Sequence, residues 1–116
     1  MSRALLSAAI ALTVCAIAAQ PLAAASSSAR RGLAFSEQRC AACHAVRANG
    51  SSANPESPSF EDIANRHGVT QTTLRTFLRD SHNYPAVMNF RVNAGRIRDL
   101  AAYIVTLRKP DYRPIM

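Results

Sequence analysis

Cys40-Ala41-Ala42-Cys43-His44 is the stretch on which the reading of this chain turns. Residues three apart on a helical turn share a face, so two sulfurs at this spacing can engage neighbouring points of one rigid partner. The adjacent imidazole can then swing beneath that partner. Ala41 and Ala42 are small enough to leave the face clear. The chain holds three cysteines in 116 residues, and the third, Cys15, lies in an apolar run near its start. With Cys15 lost in an export leader, neither Cys40 nor Cys43 has a distant cysteine to bridge to, so both thiols serve one local purpose.

Export sharpens that conclusion. Arg3 precedes an apolar run over residues 4–19, Gln20 and Pro21 break it, and Ala23-Ala24-Ala25 supplies small residues for a peptidase. This layout predicts a signal peptide over residues 1–25, with the working domain at 26–116 and a periplasmic location. A retained anchor is the competing reading, but the run falls short of the about 20 residues that span a bilayer. Removing residues 1–25 leaves 91 and takes one of the 14 basic residues, giving net charge +6 against 7 acids. So short a domain, without tryptophan, buries little apolar surface and needs a staple or a cofactor. In an oxidising compartment cysteines usually make long-range disulfides, and here none can form.

The C-x-x-C-H run is the attachment signature of c-type haem, with thioethers from Cys40 and Cys43 and His44 as the proximal iron ligand. A thioredoxin-like dithiol would call for a βαβ pattern. Structural zinc would call for four N or S ligands, and no second cysteine pair exists. Covalent haem is the reading that uses every residue of the run.

The rest of the chain reads as all-α. Ser28 is a candidate N-cap for a helix over residues 29–43, with Leu33 and Phe35 among its larger apolar residues. Residues 48–58 are rich in Asn, Gly, Ser and Pro and predict a surface loop. A short helical segment over 58–65 opens at Ser59, and Thr70 caps a helix through Arg79 whose Leu74, Phe77 and Leu78 share a face. Residues 80–92 predict a loop holding Met88. Asn93 caps the last helix, where Ile97, Leu100, Ile104 and Leu107 recur at steps of three and four. Arg108 and Lys109 suit its negative end, and Pro110 stops it. No segment alternates with period two, and no internal repeat is present.

A sixth ligand for the iron has several candidates. Met116 is poorly anchored, and His67 precedes Gly68 at an expected helix end. Met88 sits in a loop far in sequence from His44, where it can fold over the opposite face; His82 shares that loop and would give a bis-histidine iron. An open site is the remaining possibility.

Taken in order, these features resemble the class I cytochrome c family, over about residues 31–107. Gly32 and Phe35 lead into Cys40-Ala41-Ala42-Cys43-His44; Ser57-Pro58-Ser59-Phe60 follows, then Met88, then Leu100-Ala101-Ala102-Tyr103-Ile104. The pentapeptide is specific by itself, whereas the others support it through order and spacing. The resemblance implies about four short helices wrapped round one covalent haem c per chain. It implies that the first and last helices cross with Gly32 and Phe35 against Tyr103. It also implies that the Pro58 carbonyl accepts a hydrogen bond from His44, fixing ring and basicity. Asn89 stands where the family commonly has proline after its ligand methionine. Arg79, Tyr84 and Arg91 are candidates for the haem propionates without a motif behind them.

A His/Met pair leaves the iron no vacant position, so the expected function is single-electron shuttling between redox partners, without enzymatic turnover or substrate. The rival is a weakly ligated or open iron serving a gas or peroxide sensor, or an accessory subunit of a larger redox complex. Arginines dominate the positive charge, among them Arg39, Arg47, Arg75, Arg79, Arg91, Arg96 and Arg98. Gathered round a haem edge, they would steer a monomeric carrier to acidic surfaces on a membrane or periplasmic reductase or oxidase. Nucleic acid is not an expected partner, because export removes the opportunity and no binding motif occurs.

Overall fold

The computed structural model describes residues 25–80, 86–88 and 90–114. The leader except for Ala25, together with His82, Tyr84, Asn89 and Met116, lies outside the described residues. Among those described there are four α-helices and no strand: α1 (Ser27–Arg39), α2 (Phe60–Asn65), α3 (Gln71–Arg79) and α4 (Ala94–Ile104). None is long and apolar enough to cross a membrane.

Each helix starts where a side chain can take up an orphan backbone N–H. Ser59 and Thr70 open α2 and α3 through reciprocal capping boxes with Asp62 and Thr73. Asn93 accepts from Arg96 N at 2.9 Å to open α4. Helix α1 departs from expectation, because Ser26 rather than Ser28 is its cap, accepting from Ala29 N at 3.1 Å. Ser28 is engaged elsewhere: its hydroxyl donates to the carboxylate of Asp99 on α4.

Helix α1 also ends earlier than its sequence suggests. Cys40 N and Ala41 N both donate to Ser36 O, at 2.8 and 3.0 Å, and the chain turns away from the helix axis. Local propensity favours continuing through the alanines, but pairing with the following loop requires the reversal. At the other end, α4 stops at Ile104 and tightens into a 3-10 turn, Val105–Leu107. Arg108 and Lys109 therefore lie past the helix, and their side chains reach α2 and its surroundings instead of the terminal carbonyls of α4. His67 likewise lies beyond α2, exposed in the turn that Gly68 completes at φ 75°.

Helix α1 packs chiefly on α4, α3 also lies on α4, and α2 sits against the terminal 3-10 turn. At the α1–α4 crossing a Cβ on Gly32 would fall 2.0 Å from Asp99 O and 2.7 Å from Tyr103 Cβ. Only glycine permits backbones that close. Arg31 clamps the same crossing, its Nε and an Nη at 2.8 and 2.9 Å from the two oxygens of buried Asp99. Those donors, with Ser28, hold the Asp99 carboxyl down at about 2. Phe35 takes a different contact from its neighbour Gly32: its ring lies 5.6 Å from the Arg96 guanidinium.

The core gathers Ala29, Val46, Phe60, Ala64, Leu74, Leu100, Ala101, Tyr103 and Ile104. Its scale is small. The bulkiest side chain less than 2 % exposed is Ser36, while Leu33, Phe35, Ile63, Val69, Leu78 and Leu107 are only partly covered.

Candidate functional site

The expected attachment run follows α1 as a tight turn. Cys43 N and His44 N both donate to Cys40 O, at 3.1 and 2.9 Å, which keeps the cysteines one turn apart although the α-helix has ended. Both are free thiols, Cys40 half-buried and Cys43 exposed. Burial pushes the Cys40 thiol up to about 11, with Arg39 offsetting part of the shift. Among the described residues no strand accompanies the turn, so the βαβ setting of a thioredoxin-like dithiol is missing there. Among the described residues no three of His, Cys, Asp or Glu gather as a bare metal ion would require.

Beyond the turn the chain is stitched back on itself. Asn54 N donates to Cys43 O at 3.1 Å, Ala45 N to Ser52 Oγ at 2.9 Å, and Phe60 N to Ala45 O at 2.9 Å. Buried Tyr103 of α4 donates its hydroxyl to Val46 O at 2.6 Å, and burial raises that phenol's pKa. These bonds bring the start of α2 beneath His44. The His44 Nδ1 lies 2.7 Å from Pro58 O, and because a carbonyl only accepts, the proton is on Nδ1. Its ring meets that of Phe60 at 5.6 Å between centroids, tilted by 48°. Nδ1 is thus engaged, and Nε2 is the nitrogen left to act as a ligand.

Helix α2 is itself held from behind by the segment that follows α4. Asn65 Nδ2 donates to Leu107 O at 3.3 Å, and Lys109 N returns a bond to Asn65 Oδ1 at 2.9 Å. Arg108 Nε reaches Ala64 O at 3.2 Å. Lys109 pairs with buried Glu61, which also accepts from Asn49 N at 2.8 Å. These two donors lower the Glu61 pKa, the Lys109 contact most strongly. Asn49 holds a left-handed φ of 58° there, a conformation that asparagine tolerates better than most residues. Tyr112 completes the set by donating its hydroxyl to Asp62.

Of the residues expected to act, the structure therefore brings His44 and Pro58 into direct contact and keeps Cys40 and Cys43 one turn apart. Met88 is half-buried at the end of a single 3-10 turn, Ala86–Met88, where an irregular loop was expected, and Phe90 N donates to its carbonyl at 2.7 Å. Arg79 and Arg91 are exposed, the first ending α3 and the second lying ahead of α4. The supports supplied by Tyr103, Glu61, Lys109 and Tyr112 escaped the sequence reading. The bonds made by Tyr103, Lys109 and Tyr112 join residues 44 to 60 positions apart, and nothing in local spacing signals them.

These residues fit a haem. Two thiols without a mutual bridge, an imidazole with one nitrogen committed, and apolar side chains left partly covered form a suitable donor set and wall. When bound there, the haem would be held by Cys40, Cys43 and His44. Comparison with known proteins points the same way. Residues 29–108 match the family model for cytochrome c. The chain is also 33% identical over 95 residues to cytochrome c-552 of Bradyrhizobium diazoefficiens, a match covering 82% of this chain and 89% of that protein. No solved structure gives a significant match.

Proposed function

Because the chain belongs to the cytochrome c family, whose members bear covalent haem c and generally carry electrons rather than turn over substrates, we propose that it is a periplasmic one-haem shuttle ligated by His44 and Met88. The observation that carries this reading is the His44 Nδ1–Pro58 carbonyl bond of 2.7 Å. A ring fixed in that tautomer presents Nε2 as the lone-pair donor, and the carbonyl raises its basicity.

The haem, when bound, supplies a one-electron ferric–ferrous couple. The work of the chain is then to hold the ligands still, since ligands that move little between oxidation states keep reorganisation small. Phe60, Pro58 and the bonds that close the 45–60 segment do this for His44. A soft thioether from Met88 would favour the ferrous state and raise the potential. One haem per chain follows from the single C-x-x-C-H run. The net charge of +6 left once residues 1–25 are removed suits long-range steering to acidic patches on a membrane or periplasmic reductase or oxidase.

The test uses the matured protein. Replacing both Cys40 and Cys43 by Ala should abolish haem that survives acid-organic extraction. Met88→Ala should keep covalent haem but lose the far-red sulfur-to-iron band of the ferric spectrum. A wild-type ferric protein without that band at neutral pH overturns Met88 as ligand and favours the open or bis-histidine iron.

A further inference from the structure

We infer that the Tyr112 hydroxyl is a positioning group for His44, acting through Asp62 and the capped start of α2, and that it thereby helps to set the reduction potential. The inference rests on the reading above that His44 ligates the iron.

The contacts form an unbroken series. Tyr112 OH donates to Asp62 Oδ1. The other carboxylate oxygen, Oδ2, accepts from Ser59 N at 3.3 Å and Ser59 Oγ at 2.8 Å, and Ser59 Oγ accepts in turn from Asp62 N at 3.0 Å. The peptide bond entering Ser59 N is the one whose oxygen is Pro58 O. That oxygen receives His44 Nδ1–H. Asp62 therefore holds one end of this peptide group while His44 meets the other.

The neighbouring contacts of the same segment do something different. Asn65 and Arg108 fasten the far end of α2, and Lys109 pairs with Glu61 in its first turn without touching the capping box. Tyr112 alone among the described side chains of that segment reaches the capping carboxylate. It also lies outside residues 29–108, the span matched to the family. Half-buried, it lines a shallow groove with Pro58, Asp62, Asn65, Arg66 and Pro114. Asp62 raises the phenol's pKa to about 12, so the hydroxyl remains a donor throughout the neutral range.

Removing that donor frees one oxygen of Asp62 and lets the carboxylate rotate out of the capping box. The Pro58–Ser59 peptide then tilts, and the bond to Nδ1 weakens. An imidazole with a weaker Nδ1–H bond is a poorer electron donor to ferric iron, so the potential rises.

The experiment compares midpoint potentials and unfolding midpoints of three full-length, haem-bearing proteins: wild type, Tyr112→Phe and Ser28→Ala. Both substitutions remove one hydroxyl donor to an aspartate without changing charge. Tyr112→Phe should shift the potential upward, whereas Ser28→Ala should lower stability and leave the potential where it was. Equal potentials for Tyr112→Phe and wild type overturn the inference while leaving the proposed function standing; so does an equal shift in Ser28→Ala, which marks a general loosening. A wild-type protein without covalent haem overturns both.

Discussion

The α1–α4 crossing and the shelf beneath His44 are held in contrasting ways. At the crossing, shape does the work: Gly32 lets one helix backbone lie against the other, and the Arg31–Asp99 fork locks their rotation. The shelf has little shape to exploit. Helix α2 has only six residues, and it stays in place through bonds to the loop behind it and to the segment after α4. Isolated helices of that length do not persist in water, so the partners of α2 decide where Pro58 points. The ring of His44 thus rests on a segment held by side-chain and backbone bonds from several elements.

The contrast is broken most severely at Gly32. Gly32→Val introduces a branched side chain whose Cβ alone would sit 2.0 Å from a backbone oxygen. Neither helix can yield without losing the Asp99 fork and the packing of Tyr103. Overpacking of this kind costs about 3 kcal/mol, far more than the few tenths gained from helix propensity. Urea unfolding of the matured protein should register the loss. Stability at the wild-type level would mean that the helices do not approach as described.

The helices themselves were legible in the sequence because their determinants are local and typed: an apolar recurrence of three and four in α4, and caps at Thr70 and Asn93, each have a physical meaning at their own position. The crossing, with Gly32 against Tyr103, was expected only through the family resemblance. The site divided along the same line. Cys40, Cys43 and His44 announced themselves by spacing, and Pro58 through a resemblance. Asp99 did not, because a carboxylate on an apolar helix looks like a surface residue until Arg31 and Ser28 are seen to face it. Nor did the early end of α1, since the reversal after Arg39 is imposed by bonds from Asn54 and Phe60. The sequence pattern around Met88 did not reveal the 3-10 turn that ends there, because a single turn has no period to detect.

Tyr103 sits where the two regions meet, and its removal sharpens the comparison. Its Cβ faces Gly32 at the crossing, while its hydroxyl reaches Val46 O two residues past His44. Tyr103→Phe keeps the packing and deletes only the bond to the shelf. Leaving a buried carbonyl unpaired costs about 1.5 kcal/mol. Amide exchange should localise the change, with faster exchange over residues 43–60 and little difference in α1. Uniformly faster exchange in both regions would show that crossing and shelf open as one unit.

The smallest effect expected is that of Asp99→Asn, and pH separates it from the rest. Asp99 is held at about 2, well below an ordinary carboxylate, chiefly by Arg31 and then by Ser28. A carboxylate with a depressed native pKa stabilises the fold fully above its unfolded value, near pH 4, and loses that contribution as pH falls through about 2. Arg31 is half-exposed, with 48% of its side chain accessible, so screening limits the effect of the substitution at neutral pH to about 1 kcal/mol. Glu61 and Asp62 are also depressed by their partners, and they titrate in both proteins. The difference between wild type and Asp99→Asn therefore isolates the crossing. Urea midpoints measured in steps from about pH 6 to about pH 2 should show a constant gap that closes only below about pH 4. A gap that persists unchanged to the acid end would mean that charge on Asp99 contributes nothing, and that the crossing is held by the close approach at Gly32 alone.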